Sequence, residues 1–145
     1  MDLLFSTDPV LSLFILRVVL GIIFFAHGAQ KVLGWFGGHG LKATVGSMTS
    51  MGLPAPIAYM VCFFEFLGGL GLIVGLLTRL DALAISIVMV GAIATVHAKN
   101  GFFINWEMAP GKGHGIEANL AFLAMAVALI LDGGGWLALD QLIVP

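Results

Sequence analysis

The chain has 145 residues, 60% of them hydrophobic and 10% charged, with a mean hydropathy of +1.09. Soluble domains carry about 25% charged residues, so that class is excluded and a membrane protein is expected. A net charge of -2 with six basic residues excludes both a nucleic-acid footprint and a polybasic lipid-binding patch.

Each crossing needs about 20 apolar residues, so the length suits one domain, residues 1–145, with four spans and short connections. The expected fold is an all-α integral membrane four-helix bundle. The N-terminus has no basic stretch and its apolar run contains Arg17, which reads as a retained helix and not a cleaved signal peptide. The first span is expected over residues 9–34, with Trp35 and Phe36 at an interfacial aromatic belt. In the Gly-rich connection that follows, Leu41, Val45 and Met48 fall at helical spacing; either a helix on the membrane surface or an irregular loop suits them.

Pro54 and Pro56 suit the first turn of a second span, residues 54–77, whose Gly68, Gly69, Gly71 and Gly75 permit close helix packing, within the chain or in a dimer. Thr78, Arg79 and Asp81 are expected to turn the chain into a third span, residues 80–99. A polar, Gly-rich segment then leads to a fourth, residues 116–131, stopped by Asp132 and three glycines. The tail, residues 136–145, is expected to rest at the interface through Trp136. We call the end bearing both termini side A, and the end bearing the 35–53 and 100–115 connections side B. Four lysines, Lys31, Lys42, Lys99 and Lys112, lie on or near side B, which favours side B as cytoplasmic and both termini outside.

The functional signal is a set of ionisable residues in or at the ends of the spans. Arg17, His27, Lys31, Glu65, His97 and Glu117 would each cost several kcal/mol facing hydrocarbon, so they are expected to turn inward. At 100° per residue, Arg17, His27 and Lys31 share one stripe of the first span with Leu20, Phe24 and Gly28. Snorkelling of Arg17 and Lys31 to opposite interfaces is the bland alternative. Glu65 lies near the middle of its span and must be protonated, paired or hydrated. His27, Lys31, Glu65, His97 and Glu117 bring ionisable groups from four helices to the side B half, as expected of a cofactor or substrate pocket. The Glu-x-x-His pairs of di-iron bundles are missing and the depths are spread, so no metal site is expected, and haem between His27 and His97 still less. Cys62 is the only cysteine, so dithiol chemistry would need a partner protein.

Several runs resemble the DoxX family of small membrane proteins: Leu16 to Gly21, His27 to Lys31, Gly52 to Pro54, Glu65 to Gly69, Gly75 to Arg79, Val96 to Phe103 and Gly115 to Asn119. The resemblance spans nearly the whole chain. It implies a four-helix membrane fold related to subunits linked to thiosulfate oxidation with quinone as acceptor, and to redox-stress or sulfur-transfer assemblies. The positions it carries over are Arg17, His27, Lys31, Glu65, Arg79, His97, Asn100, Glu117 and Asn119.

The leading expectation is thus a cell-membrane, multi-pass component of a redox system that binds a quinone-like molecule. Glu65, His97 and Glu117 would take the catalytic or proton-carrying roles, and Arg17, His27, Lys31, Arg79, Asn100 and Asn119 would bind ligand. Phe24, Phe63, Phe64 and Phe102 are available to line an apolar ring or tail site. Expected partners are membrane lipid, a redox partner protein or soluble electron donor, and in one arrangement a second copy of the chain. The competing expectation is a non-enzymatic small-molecule-binding or assembly protein whose buried charges fix helix packing. A proton-coupled transporter is disfavoured by the absence of an inverted repeat.

Overall fold

A computed structural model describes residues 2–143, with side chains from residue 4 onward. A short helix α1 (Asp2–Phe5) precedes the long α2 (Leu11–Val32). Then come α3 (Leu41–Ser50), α4 (Ala55–Val74) and α5 (Thr78–Ala92). Helix α5 runs on through a π turn, Ile93–His97, and a 3-10 turn, Ala98–Asn100. A long loop leads to α6 (Glu117–Asp132), and a 3-10 turn at Leu139–Leu142 ends the described chain. The elements among the described residues are all-helical, as the sequence implies, and α2, α4, α5 and α6 form an antiparallel bundle.

Among the described residues, three helical stretches are long and apolar enough to cross a membrane: Leu11–Val32, Ala55–Val74 and Thr78–Asn100. The fourth, α6, has 16 residues and is about 24 Å long, shorter than a hydrocarbon core of about 30 Å. Much of the molecular surface is correspondingly apolar, with Ile15, Val19 and Ile22 exposed along one face of α2 and Leu83, Ile87 and Val90 along one face of α5.

Glycines set the spacing of α2 and α4. A Cβ on Gly28 would collide with the Phe66 backbone, and one on Gly69 would collide with the Phe25 nitrogen. Any side chain there would force the helices apart, which is why small residues sit at this crossing. Gly71 and Gly75 also face this chain's own atoms, Asp81 and Arg17 respectively, so their packing is intramolecular. The apolar core between the helices is built on Leu20, Phe24, Leu72, Ile85, Met89, Ala126 and Leu129. Helix α3 resolves the helix-or-loop alternative: it is helical, and its Leu41, Val45 and Met48 stripe packs on Ala58 and Cys62 of α4.

The turn between the second and third spans lies earlier than the sequence suggests. Thr78, Arg79 and Asp81 form the first turn of α5, and reversal occurs over residues 75–77, with Gly75 at φ 73° and Leu77 at φ 55°. The reason is a remote cap. The Asp140 carboxylate accepts the Leu77 and Thr78 N–H groups at 2.7 and 2.9 Å, satisfying donors that a helix start leaves orphaned. The tail therefore folds back onto side A, with Asp140 buried and Trp136 edge-on to Phe14. Its last two residues, 144 and 145, lie outside the described part.

Candidate functional site

The two ends of the bundle use their polar residues differently. On side A, the Arg17 side chain is fully buried and its guanidinium donates to the carbonyls of Leu72, Ile73, Gly134 and Trp136. Leu72 and Ile73 end α4, so the cation satisfies free carbonyls at the negative end of that helix. Arg79 does the same for α6, donating to Ile130 and Leu131, and also reaches the Ser6 carbonyl at 2.9 Å. Both arginines thus lie at the end opposite the cavity described next, and the structure does not bring them to it.

On side B, α2, α4, α5, α6 and the 101–115 loop line an open cavity of about 380 Å³, the size range of small-molecule sites. Helix α2 contributes Phe24, His27 and Lys31, α4 contributes Glu65, and α5 contributes Met89 and Ala92. His97 comes from the π turn, His114 and Ile104 from the loop, and Ala118, Asn119 and Phe122 from α6. Phe24 and Phe122 meet edge to face at 5.6 Å and close the inner end. Of the other aromatic candidates, Phe63 and Phe102 are exposed and Phe64 faces a separate groove between α4 and α5.

Lys31 and Glu65 form an ion pair in which Glu65 is almost fully buried and Lys31 retains 24% of its side-chain exposure. The mid-span carboxylate is therefore paired, by the lysine one turn beyond His27 on α2. His27 and His114 line the cavity yet remain exposed, so the cavity is open on their side. Asn119 is buried and its amide points to the Met89 sulfur at 3.5 Å.

The loop is held from below by three sequence-predicted residues. Backbone bonds from Gly115, Ile116 and Glu117 to the carbonyls of Phe103, Gly101 and Phe102 pin its two ends together. The Glu117 carboxylate accepts the Ile104 N–H at 3.0 Å, and Asn100 donates to the His114 carbonyl at 3.0 Å. The same carbonyl lies 2.8 Å from His97 Nδ1. Glu117 and Asn100 thus shape the loop without lining the cavity, whereas His27, Lys31, Glu65, His97 and Asn119 line it. His114 is a cavity residue that the sequence does not flag: it lies between two glycines in a loop, and no span-based argument singles it out. Nor does the sequence signal the π turn, which inserts an irregular turn where His97 enters the cavity, as π turns do at many functional sites. Among the described residues, no cluster of three or more His, Cys, Asp or Glu side chains could hold a metal ion.

Residues 12–98 match the family model described as DoxX. The chain belongs to the DoxX family. The match covers His27, Lys31, Glu65 and His97 and stops before the loop that carries His114. The chain is 33% identical over 129 residues to a Bacillus subtilis (strain 168) protein named "Putative oxidoreductase CatD", covering 89% of this chain and 84% of that one. It is 28% identical over 135 residues to "Uncharacterized membrane protein Rv3486" of Mycobacterium tuberculosis (strain ATCC 25618 / H37Rv), covering 90% and 80%. No solved structure matches the chain. With its apolar helices, this DoxX chain is a membrane protein.

Proposed function

We propose that this DoxX chain is a multi-pass protein of the cell membrane that holds a quinone-like molecule in the side B cavity, as the membrane component of a redox system. The observation that carries the reading is the cavity's two-part lining. Phe24, Met89 and Phe122 offer an apolar bed for a ring, while the Lys31–Glu65 pair, His27, His97, His114 and Asn119 supply polar groups around it. That is the pattern of a small-molecule site, few polar groups on apolar walls, and it suits a ring with oxygen substituents. The name of the Bacillus relative supports a redox role. Electrons would reach the site from a partner protein or a soluble donor, and sulfur-compound oxidation or redox-stress defence are the settings that the family resemblance suggests.

Within that reading Lys31 and Glu65 act as a pair. Neutralising the lysine's charge with a buried carboxylate keeps a donor in the cavity without an isolated cation in an apolar site. Asn119 and Lys31 would fix the ring's oxygens, and His97 would exchange a proton. A scaffold reading draws support from Arg17, Arg79 and Asp140, which serve packing. Those residues stand at side A, however, and leave the cavity groups unexplained.

Native mass spectrometry of the gently extracted protein, with organic extraction of the same sample, tests the proposal. A quinone bound at one per chain is the expected result, and it should be depleted in Asn119→Leu. Bulk phospholipid alone, together with no uptake of an added short-tailed benzoquinone, would leave the scaffold reading in its place.

A further inference from the structure

The hydrogen bonds of His97 and His114 determine where each imidazole carries its proton. His97 Nδ1 lies 2.8 Å from the His114 carbonyl oxygen. A carbonyl only accepts, so Nδ1 bears the hydrogen and, in the neutral ring, Nε2 presents a lone pair. For His114 the opposite holds. Its Nδ1 lies 3.3 Å from the Asn105 backbone nitrogen, which only donates, so Nδ1 is the acceptor and Nε2 bears the hydrogen.

The anchors are themselves held. The Asn105 side chain donates to the Ala109 and Lys112 carbonyls at 3.2 and 2.7 Å and accepts the Ala109 N–H at 3.1 Å. Asn105 is buried, so its backbone N–H is presented to His114 from a rigid turn. The His114 carbonyl is shared between His97 and Asn100. Both residues line the same cavity.

The two rings thus offer a ligand different atoms, His97 a lone pair at Nε2 and His114 a hydrogen at Nε2. Of the other ionisable groups near the rings, Lys31 and Glu65 neutralise each other, Glu117 is engaged with the Ile104 N–H, and His27 stands at the open side.

Resting on the proposed function above, we infer that His97 and His114 are locked in opposite tautomers, His97 with an acceptor Nε2 and His114 with a donor Nε2–H. The site therefore distinguishes the redox states of its ligand. A hydroquinone hydroxyl donates to His97 Nε2, while an oxygen that accepts takes the His114 hydrogen. A quinone carbonyl placed at His97 sets lone pair against lone pair until His97 is protonated. The reduced ring is thus favoured while His97 is neutral, and the oxidised ring gains as His97 becomes charged. His97 is the residue that reads the hydroxyl, as acceptor of its hydrogen bond, and His114 is a positioning donor.

Two readouts test this separately from the proposed function. Nitrogen-15 histidine NMR of the protein in lipid nanodiscs, with signals assigned by His97→Asn and His114→Asn, is expected to show hydrogen on Nδ1 of His97 and on Nε2 of His114. The same tautomer on both rings would overturn the inference, whatever binds. The second readout is anaerobic titration with a short-tailed benzoquinone and its hydroquinone. The hydroquinone should bind roughly tenfold more tightly, the scale of one well-made hydrogen bond. His97→Phe should abolish that preference, and His114→Phe should weaken binding but retain it. Equal affinity for the two forms in the unaltered protein contradicts the inference and leaves the quinone reading intact. Binding of neither form contradicts the quinone reading, and the NMR pattern then decides the tautomers alone.

Discussion

Buried charge in this chain is handled in two ways, and single substitutions separate them. Glu65 is 5% exposed on its side chain and Lys31 24%, so removing the lysine strands a carboxylate that water reaches poorly, whereas removing the carboxylate leaves an ammonium that can still be hydrated. Lys31→Met should therefore cost about 3 kcal/mol and Glu65→Gln about 1 kcal/mol, with the Lys31→Met/Glu65→Gln double variant recovering much of the larger loss. Thermal or denaturant unfolding in lipid nanodiscs checks this; equal single losses that simply add would show the two residues are not coupled. Arg17 makes the opposite prediction about function. Arg17→Met frees carbonyls at the end of α4 and should cost about 3–5 kcal/mol, yet leave ligand affinity per folded molecule unchanged, because the guanidinium is bonded at side A. A stable variant with lost affinity would contradict that division. The cost of burying Glu65 was legible from its position within a span; which cation answers it was not, since Arg17 and Lys31 share one stripe of α2 and only the packing of α4 selects Lys31.

At the scale of elements, the closeness of α2 and α4 rests on glycines, and their roles differ by position. Gly28→Ala would drive a methyl into the Phe66 backbone and should lose about 1–3 kcal/mol while disturbing the adjoining cavity. A Cβ at Gly91 would meet nothing within 4 Å, so Gly91→Ala on α5 should be neutral or stabilising by about 0.5–1 kcal/mol. Parallel unfolding measurements on the two variants test the contrast, and similar losses from both would contradict it. Hydropathy and Pro or Gly punctuation made α2, α4, α5 and α6 legible to within a helical turn at most ends, because those signals are local. The turn into α5 was misplaced because its cap, Asp140, arrives from 62 residues away. The π turn at Ile93–His97 escaped for a related reason: a backbone irregularity in an apolar helix leaves no periodicity of its own.

The whole molecule joins a polar clasp at side A to a ligand-sized cavity at side B. Arg17, Arg79 and Asp140 tie the helix ends, the N-terminal segment and the tail together, so the clasp can hold the bundle, and in the proposed function the polar groups of the cavity are left for a ligand. The side B location of His27, Lys31, Glu65 and His97 was legible because each sits at a readable depth in a span. His114 was not, since a loop histidine gains its position only when the loop folds back on Gly101 and Phe102. In the proposed four-span arrangement, residues 6 and 50 stand on opposite faces of the membrane. Single cysteines replacing Ser6 and Ser50, in a Cys62→Ser background, should accordingly be labelled by an impermeant thiol reagent from opposite sides of sealed vesicles, and labelling of both from one side would contradict that topology.

The central claim, that the side B cavity takes a quinone-like ring, is tested most directly by photolabelling the protein in nanodiscs with an azido-benzoquinone and mapping the adducts by peptide mass spectrometry. The account predicts adducts on cavity residues, among them Phe24, Met89 and Phe122, suppressed by excess unlabelled benzoquinone. Adducts scattered over the lipid-facing residues of α2 and α5, unaffected by competitor, would contradict it.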